Sequence, residues 1–198
     1  MGLISRSRGV RIRRLVRLAL LALMLAGAAE AAESKAISIN LGAAYFWPKD
    51  DIFREVYGGG PRFGVGIEIP IVGGFRAWAG AEMFRKGGEV TFTGQATTLQ
   101  IVPVFGGVDY RLPGKVIQPY AGLALAYFMF KEESELGTVR GKDLGFLGQA
   151  GAVFQIGPSL GLDVYARVTA CRAKPDLPEA VPAEIGGYEL GAGLVIRF

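Results

Sequence analysis

Histidine is absent from this chain of 198 residues, and cysteine occurs once, at Cys171. A single cysteine cannot form an intramolecular disulfide. Zinc and other soft-ligand metals are bound mainly by histidine and cysteine, so no such site is expected. General acid–base catalysis and activation of a nucleophile most often depend on histidine. We therefore predict no catalytic, cofactor-binding or metal-binding residues, and a protein that is not an enzyme.

The beginning of the chain differs in composition from everything that follows. Six arginines precede an apolar run of about 12 residues from Leu18 to Ala29, which is shorter than the ~20 residues a transmembrane helix needs. The tripeptide Ala29-Glu30-Ala31 closes this run. A basic start, a short apolar run and small residues are typical of a secretory signal peptide. We predict a signal peptide over residues 1–31, cleaved after Ala31 or after Ala28, and one domain over residues 32–198.

The positive charge of the chain belongs mostly to this leader. The whole sequence has 22 Lys and Arg, 18 Asp and Glu, and a pI of about 9.3. Removing residues 1–31 takes away six arginines and Glu30, which leaves 16 cations against 17 anions and a net charge of −1. The basic pI therefore does not indicate a nucleic-acid surface, and we predict no nucleic-acid partner.

Residues after the leader lack stretches with the helical period of 3.6. Glycine, aromatic and β-branched residues alternate there with a period of two, which predicts strands. Most of the segments are near the length of a tilted strand that crosses a membrane. We predict eight strands, at 36–47, 62–71, 75–84, 98–111, 119–130, 144–156, 160–171 and 185–198.

The connections between these strands alternate in length. Those after the second, fourth and sixth strands are short and contain Gly73-Gly74, Pro113-Gly114 and Pro158. Those after the first, third, fifth and seventh are polar and each about a dozen residues long. Short turns at one end and long loops at the other are typical of bacterial outer-membrane barrels.

The two faces of each predicted strand differ in chemistry. In the second strand, Phe63, Val65 and Ile67 share one face, while Arg62 and Glu68 lie on the other. Strands five, seven and eight also have one continuous apolar face without charge. An exported chain with one hydrocarbon-like face per strand fits a closed barrel in a bilayer, because closure leaves no unpaired backbone edge in lipid. The ionisable residues predicted to face the lumen are Arg62, Arg76, Arg111, Arg167, Arg197, Glu68, Glu82, Asp109, Asp163 and Glu189.

These five cations and five anions predict a plugged lumen. The interior of an eight-stranded barrel is just wide enough to be filled by side chains, and buried charges need partners. Glu68 and Arg76 lie diagonally across the second hairpin and are the pair we predict. Inward glycines such as Gly64 and Gly66 leave an alternative, in which the lumen retains space for a narrow path.

Two further expectations concern proline and aromatic residues. Pro70 and Pro103 fall inside predicted strands, so we expect each near a strand end or at a β-bulge. Aromatic residues cluster near both ends of the strands, where membrane barrels carry interfacial girdles. The predicted girdles contain Tyr45, Trp47, Tyr127 and Phe130 at one end, and Phe75, Tyr110 and Phe198 at the other.

The last strand places Leu194, Ile196 and Phe198 on one face, and the chain also carries Pro119-Tyr120-Ala121-Gly122. With these motifs, residues 33–198 resemble the small outer-membrane barrels of the OmpA/OmpX type and the porin-like outer membrane protein β-barrel domain family. The resemblance implies a location in the bacterial outer membrane, contact with its lipid, and recognition by the barrel-assembly machinery through the strand that ends at Phe198.

The fold class predicted is therefore all-β: a closed, eight-stranded, antiparallel transmembrane barrel, connected as an up-and-down meander, with four long outer loops. Fold does not specify function in this family. A structural or surface-interaction barrel with a largely plugged lumen, whose extracellular ligand is unknown, is the first hypothesis. A narrow porin-like channel, or a conduit for small apolar molecules, is the alternative.

Overall fold

The computed structural model describes residues 37–89, 95–135, 137–174 and 183–198. The predicted signal peptide lies outside these residues. One short helix, α1 (Asp51–Tyr57), follows the first strand. None of the helices in the described ranges has the length and hydropathy needed to cross a bilayer. The strands are β1 (Ser38–Pro48), β2 (Gly60–Val72), β3 (Phe75–Glu89), β4 (Ala96–Arg111), β5 (Ile117–Ser134), β6 (Gly137–Gln155), β7 (Leu160–Ala170), β8 (Arg172–Ala173), β9 (Ala183–Glu184) and β10 (Gly187–Arg197).

Eight of these strands close a barrel in the order β1-β10-β7-β6-β5-β4-β3-β2. Each pairs antiparallel with the next barrel strand along the chain, so that β7 pairs with β10, and β10 closes the sheet by pairing with β1 from Ser38↔Arg197 to Pro48↔Gly187. The predicted all-β, eight-stranded meander is therefore confirmed. Closure pairs every strand on both sides and leaves no sheet edge in contact with lipid. The two-residue strands β8 and β9 form a separate small sheet.

The predicted division into two faces is also confirmed. Phe63, Val65 and Ile67 are exposed on the outside of the barrel, while Arg62 and Glu68 are buried inside it. Of the ten ionisable residues predicted to face the lumen, eight are buried, and the arginines at 167 and 197 are partly buried. Because side chains alternate strictly along a strand, one correct parity assignment places every residue of that strand.

We call the two ends of the barrel the turn end and the loop end. The turn end carries the connections after β2, β4 and β6 together with Ser38 and Arg197. Its tightest turn is Gly73-Gly74, where both glycines have positive φ, 56° and 86°, as a two-residue hairpin turn requires. The loop end carries the connections after β1, β3, β5 and β7. The predicted short connections after the second, fourth and sixth strands are confirmed.

The loop end is more structured than predicted. The connection after β1 contains helix α1, and the side chain of its N-cap residue, Asp50, accepts a hydrogen bond from the Phe53 backbone N–H. The long loop predicted after the fifth strand is wrong, because β5 and β6 continue past the predicted strand ends and meet in a tight hairpin at Ser134↔Gly137. Polar residues suggested a loop there, but cross-strand pairing outside the barrel body satisfies the same backbone groups.

One of the two proline expectations is confirmed and the other is wrong. Pro70 lies next to a register shift near the end of β2, as expected. Pro103 lies in the middle of β4, at neither a strand end nor a bulge. The ladder between β3 and β4 stops at Ala81↔Val104 and resumes in the same register at Phe84↔Ile101, so the missing donor of Pro103 is accommodated by a gap.

Strands β3 to β6 extend beyond the other strands at the loop end. They contain 15, 16, 18 and 19 residues, whereas β1, β7 and β10 each contain 11. We call this extension the wall; it comprises residues 85–89, 96–100, 131–134 and 137–142. The wall makes the loop end asymmetric, because four strands rise on one side of it, and helix α1 packs against the wall through Tyr57, which lies next to Gly88 of β3.

Two neighbouring glycines of β4 test the packing of the barrel. A Cβ at Gly107 would lie 2.1 Å from the backbone oxygen of Leu123 and 2.5 Å from Cα of Ala124, whereas a Cβ at Gly106 would meet nothing closer than the Trp78 oxygen at 4.0 Å. We expect Gly107→Ala to lower the free energy of unfolding by about 1–3 kcal/mol through overpacking. Gly106→Ala is the matched control, with an expected change within ~0.5 kcal/mol. Urea unfolding in detergent, followed by tryptophan fluorescence, measures both; equal effects would contradict the packing described here.

Candidate functional site

The middle of the lumen is filled by an ion network drawn from four strands. Glu82 of β3 pairs with Arg167 of β7 and lies 3.8 Å from Arg62 of β2. Arg62 also pairs with Glu189 of β10. Each of these four side chains is about nine-tenths buried or more. A buried carboxylate or guanidinium is stable only with such partners, so this layer is fixed in place across the full width of the barrel.

Aromatic rings pack against the arginines of this layer. The guanidinium carbon of Arg62 lies 3.9 Å from the ring centre of Phe46, and that of Arg167 lies 4.3 Å from the ring centre of Tyr165. Arg167 also donates a hydrogen bond of 3.0 Å to Oε1 of Gln149. Cation–π contacts inside a desolvated lumen add to the ion pairs and fill the space that they leave.

A second ion network lies towards the turn end. Oε2 of Glu68 lies 3.0 Å from Nε of Arg76 and 2.7 Å from Nη2 of Arg111. Asn40 donates a hydrogen bond of 2.6 Å to the other oxygen of Glu68, and Arg76 donates one of 3.1 Å to Ser38. The predicted pair of Glu68 and Arg76 is confirmed. Sequence spacing did not reveal the contribution of Arg111, because that residue comes from a strand on the far side of the hairpin.

Two inward carboxylates are not part of these ion pairs. Asp163 accepts a hydrogen bond of 2.9 Å from the Tyr120 hydroxyl. Asp109 is 1% exposed, and within the described residues neither of its oxygens has a hydrogen-bond partner. A cavity of about 40 Å³ lies next to Asp163 and Glu68, which is room for about two or three water molecules. Pairing in the lumen is therefore extensive but incomplete.

The loop-end part of the lumen is apolar, a feature that was not predicted from the sequence. Its buried residues come from most of the barrel strands, and helix α1 adds Phe53 and Val56 to them. Tyr57 closes this layer by donating a hydrogen bond of 2.5 Å to Glu132 of the wall. Burial, together with that bond, raises the pKa of the Tyr57 hydroxyl above its ordinary value. The principal members of the layer are Phe46, Phe84, Leu99, Ile101, Phe128, Phe130, Leu147 and Ile185.

Three layers of side chains therefore fill the lumen along its axis: the apolar layer under helix α1, the network around Glu82, and the network around Glu68. A run of inward aromatic and aliphatic residues at the loop ends of β3, β4 and β5 was the available signal for the first layer. Charged residues at inward positions are the more conspicuous signal, and the residues of this layer carry no charge.

The aromatic girdles are mostly confirmed. Tyr45 and Trp47 are exposed at the loop end with ring centres 4.6 Å apart, and Phe75 and Tyr110 lie at the turn end with ring centres 4.9 Å apart. The assignment of Phe130 to a girdle is wrong, because its side chain is buried in the apolar layer. Phe130 follows the outward Met129 on β5, so its parity places it inside.

The structure also describes the surroundings of the remaining candidate residues. Cys171 is 3% exposed and packs in the apolar layer beside Gly145. Within the described part of the chain, no group of three or more His, Cys, Asp or Glu side chains is arranged to hold a metal ion.

Comparison with known proteins gives a family and a fold. The profile of the family described as "Outer membrane protein beta-barrel domain" matches residues 18–198. Among solved structures, the chain is similar to OprG of Pseudomonas aeruginosa, with 14% identity and a TM-score of 0.66 over 84% of this chain and 97% of that one. It is similar to neisserial surface protein A, NspA, with 15% identity and a TM-score of 0.63 over 82% and 97%.

The attachment invasion locus protein Ail of Yersinia pestis also matches, with 15% identity and a TM-score of 0.51 over 83% of this chain and all of that one. A search of curated proteins gave no match. At identities of 14–15%, these similarities show a shared fold and nothing more.

The middle network predicts a large stability effect at Glu82. We expect Glu82→Ala to lower the free energy of unfolding by about 3–5 kcal/mol, because Arg62 and Arg167 lose a buried partner. The double variant Glu82→Met with Arg167→Met removes a pair together and should lose less. Equilibrium urea unfolding in detergent measures these values. Glu55→Ala, on the exposed surface of helix α1, is the control. A Glu82→Ala protein as stable as this control would contradict the assignment.

The burial of Cys171 predicts that its thiol reacts slowly with thiol reagents in the folded protein. We expect the native thiol to react with maleimide at least about tenfold more slowly than in urea, because only the thiolate of an accessible cysteine reacts rapidly. The control is Cys171→Ala with Ser159→Cys, which places a thiol at an exposed turn-end position. Equal labelling rates of the two folded proteins, measured by mass spectrometry, would show that Cys171 is accessible.

Proposed function

The chain belongs to the outer membrane protein β-barrel domain family, and from this premise we propose that it serves as a sealed barrel with a structural or surface-interaction role. It is an integral β-barrel of the bacterial outer membrane, and its apolar outer face contacts membrane lipid. In barrels of this kind the short turns face the periplasm and the longer connections face outwards. The wall and helix α1 are then the parts presented to the cell exterior.

The filled lumen is the observation that carries this proposal. An ion crossing the barrel would have to displace the apolar layer and then separate Glu82 from Arg167 and Glu68 from Arg76 and Arg111. Each of these separations leaves a buried charge without a partner, at a cost of several kcal/mol. Motion of a single side chain therefore does not open a continuous aqueous path, because the other layers still close the lumen.

Two smaller proposals accompany this one. We propose that the protein is not an enzyme, since the inward carboxylates Glu82, Glu68 and Glu189 are engaged by arginines and the chain has no histidine. We also propose that the barrel-assembly machinery recognises the strand β10, whose outer face carries Leu194 and Ile196 and leads to Phe198.

The apolar layer favours a second candidate function. A small apolar molecule could bind among Phe84, Ile101 and Phe128 if helix α1 moved away. It would then have to leave sideways between two barrel strands, because the charged layers block the lumen beyond. This conduit role differs from the sealed barrel in requiring displacement of Phe53 and Tyr57. Cross-linking helix α1 to the wall would block a conduit and leave a purely structural role unaffected.

Single-channel recording in a planar bilayer tests the sealed barrel. We expect the refolded protein to give no discrete conductance at high salt. Because each layer closes the lumen by itself, Glu82→Ala with Arg167→Ala should remain silent, although it is less stable. A heat-dependent gel shift verifies that each protein is folded. Stable, discrete conductance of the unsubstituted protein would refute the proposal and support a channel.

A further inference from the structure

Outward-facing cations gather on one side of the loop end. Arg85, Gln100, Lys131 and Arg140 lie directly opposite one another across β3, β4, β5 and β6, in the registers Arg85↔Gln100, Gln100↔Lys131 and Lys131↔Arg140. Four strands spaced by ~4.8 Å make this row about 14 Å long. Lys142 lies two residues nearer to the membrane on β6, opposite Met129. We call these five residues the cation row.

The cation row has little internal compensation. Lys131 pairs with Glu133 at 2.5 Å, and this neighbour lowers the pKa of the Glu133 carboxyl, so the pair stays ionised at neutral pH. Within the described residues, Arg85, Arg140 and Lys142 form no ion pair. On the outward face of the wall, these four cations stand against the carboxylates of Glu133 and Glu89, which leaves an excess of positive charge.

A groove of about 420 Å³ lies within the row. It is lined by the cationic side chains of Lys131, Arg140 and Lys142 and by the apolar side chains of Val102 and Met129. Cationic and apolar side chains together suit a ligand that has both an anionic group and hydrocarbon. A water-soluble anion would gain nothing from the apolar side chains.

A second concavity lies further down the same outward face, and the outward side chains of Val104, Tyr127 and Leu144 separate it from the groove. It has a volume of about 1190 Å³ and runs over β4 to β7. Its floor is made of small residues, including Gly106, Gly148 and Ala166, and larger residues such as Leu125 and Phe146 stand beside them. From Lys131 to Leu123 the strand β5 advances eight residues, or about 27 Å. The cationic groove and the apolar hollow therefore lie one below the other along the strand β5.

We propose that the wall binds a phosphate-bearing lipid of the outer leaflet, with its phosphate on the cation row and an acyl chain in the hollow below. Charge complementarity selects the anion, and the position of the cation row on the same outward face as the lipid-facing surface selects a lipid over a soluble molecule. The proposal deepens the surface-interaction role, since it names a partner for the outward face of the wall. It does not depend on whether the lumen conducts.

Native mass spectrometry of the refolded barrel, released from detergent with an added bisphosphorylated bacterial glycolipid, tests the proposal. The charge variant is Lys131→Gln, Arg140→Gln and Lys142→Gln combined. Each cation near an anionic lipid surface contributes about fivefold in affinity, so we expect a loss on the order of 100-fold. Lys49→Gln, Arg54→Gln and Lys115→Gln combined removes the same charge elsewhere and should retain the lipid. The gel shift verifies folding of both.

The apolar half of the site has its own variant. Gly106→Val with Gly148→Val fills the hollow without altering charge, and a Cβ at either glycine meets nothing closer than 3.4 Å. We expect this protein to retain the lipid at least about fivefold less well than the unsubstituted one. A glycolipid without phosphates should bind weakly to all the proteins.

Three outcomes would overturn the proposal. Equal retention of lipid by the charge variant and its control would show that the cation row does not bind the phosphate. Equal binding of the dephosphorylated glycolipid would have the same meaning. Binding of soluble heparin that is lost in the charge variant, with lipid retention unchanged, would assign the row to a water-soluble polyanion. A conducting but lipid-binding barrel would refute only the sealed lumen.

Discussion

The requirement that every backbone N–H and C=O be paired where no water is present determines the rest of this structure. Hydrocarbon cannot satisfy these groups, so the sheet closes on itself through the β1–β10 ladder. Closure with eight strands fixes the width of the lumen, and the width determines that side chains fill it. The alternating faces follow, since one must suit lipid and the other must suit a narrow, crowded interior. The buried arginines and carboxylates of the lumen are thus a consequence of the fold's closure.

Most of the architecture is predictable from the sequence because the period-two pattern is a strictly local signal. Parity alone placed Arg62, Glu82 and Glu189 in the lumen, and the Gly73-Gly74 turn set the register of one hairpin. The pairing of Glu68 with Arg76 was accessible for the same reason, since both lie beside that turn. By contrast, Arg62 with Glu189 joins β2 to β10, and no local spacing relates two residues so far apart in the chain.

The failures of prediction have physical causes of their own. The polar sequence of the connection between β5 and β6 was interpreted as a loop, although strands that rise above the membrane have no need of apolar faces. Phe130 shows the related error of treating an aromatic residue near a strand end as interfacial, when its parity points inwards. Pro103 shows that a sheet tolerates a missing donor by omitting a few ladder bonds when its neighbours are otherwise well paired.

The middle network joins residues that are distant in the chain, and this has a consequence for the order in which the barrel assembles. Arg62 and Glu82 belong to the second and third strands, while Arg167 and Glu189 belong to the seventh and tenth. A chain whose last hairpin has not yet docked therefore holds arginines and carboxylates with incomplete partners in a half-formed interior. Completion of the network coincides with closure of the barrel, so these ion pairs couple the hairpin of β2 and β3 to the strands β7 and β10.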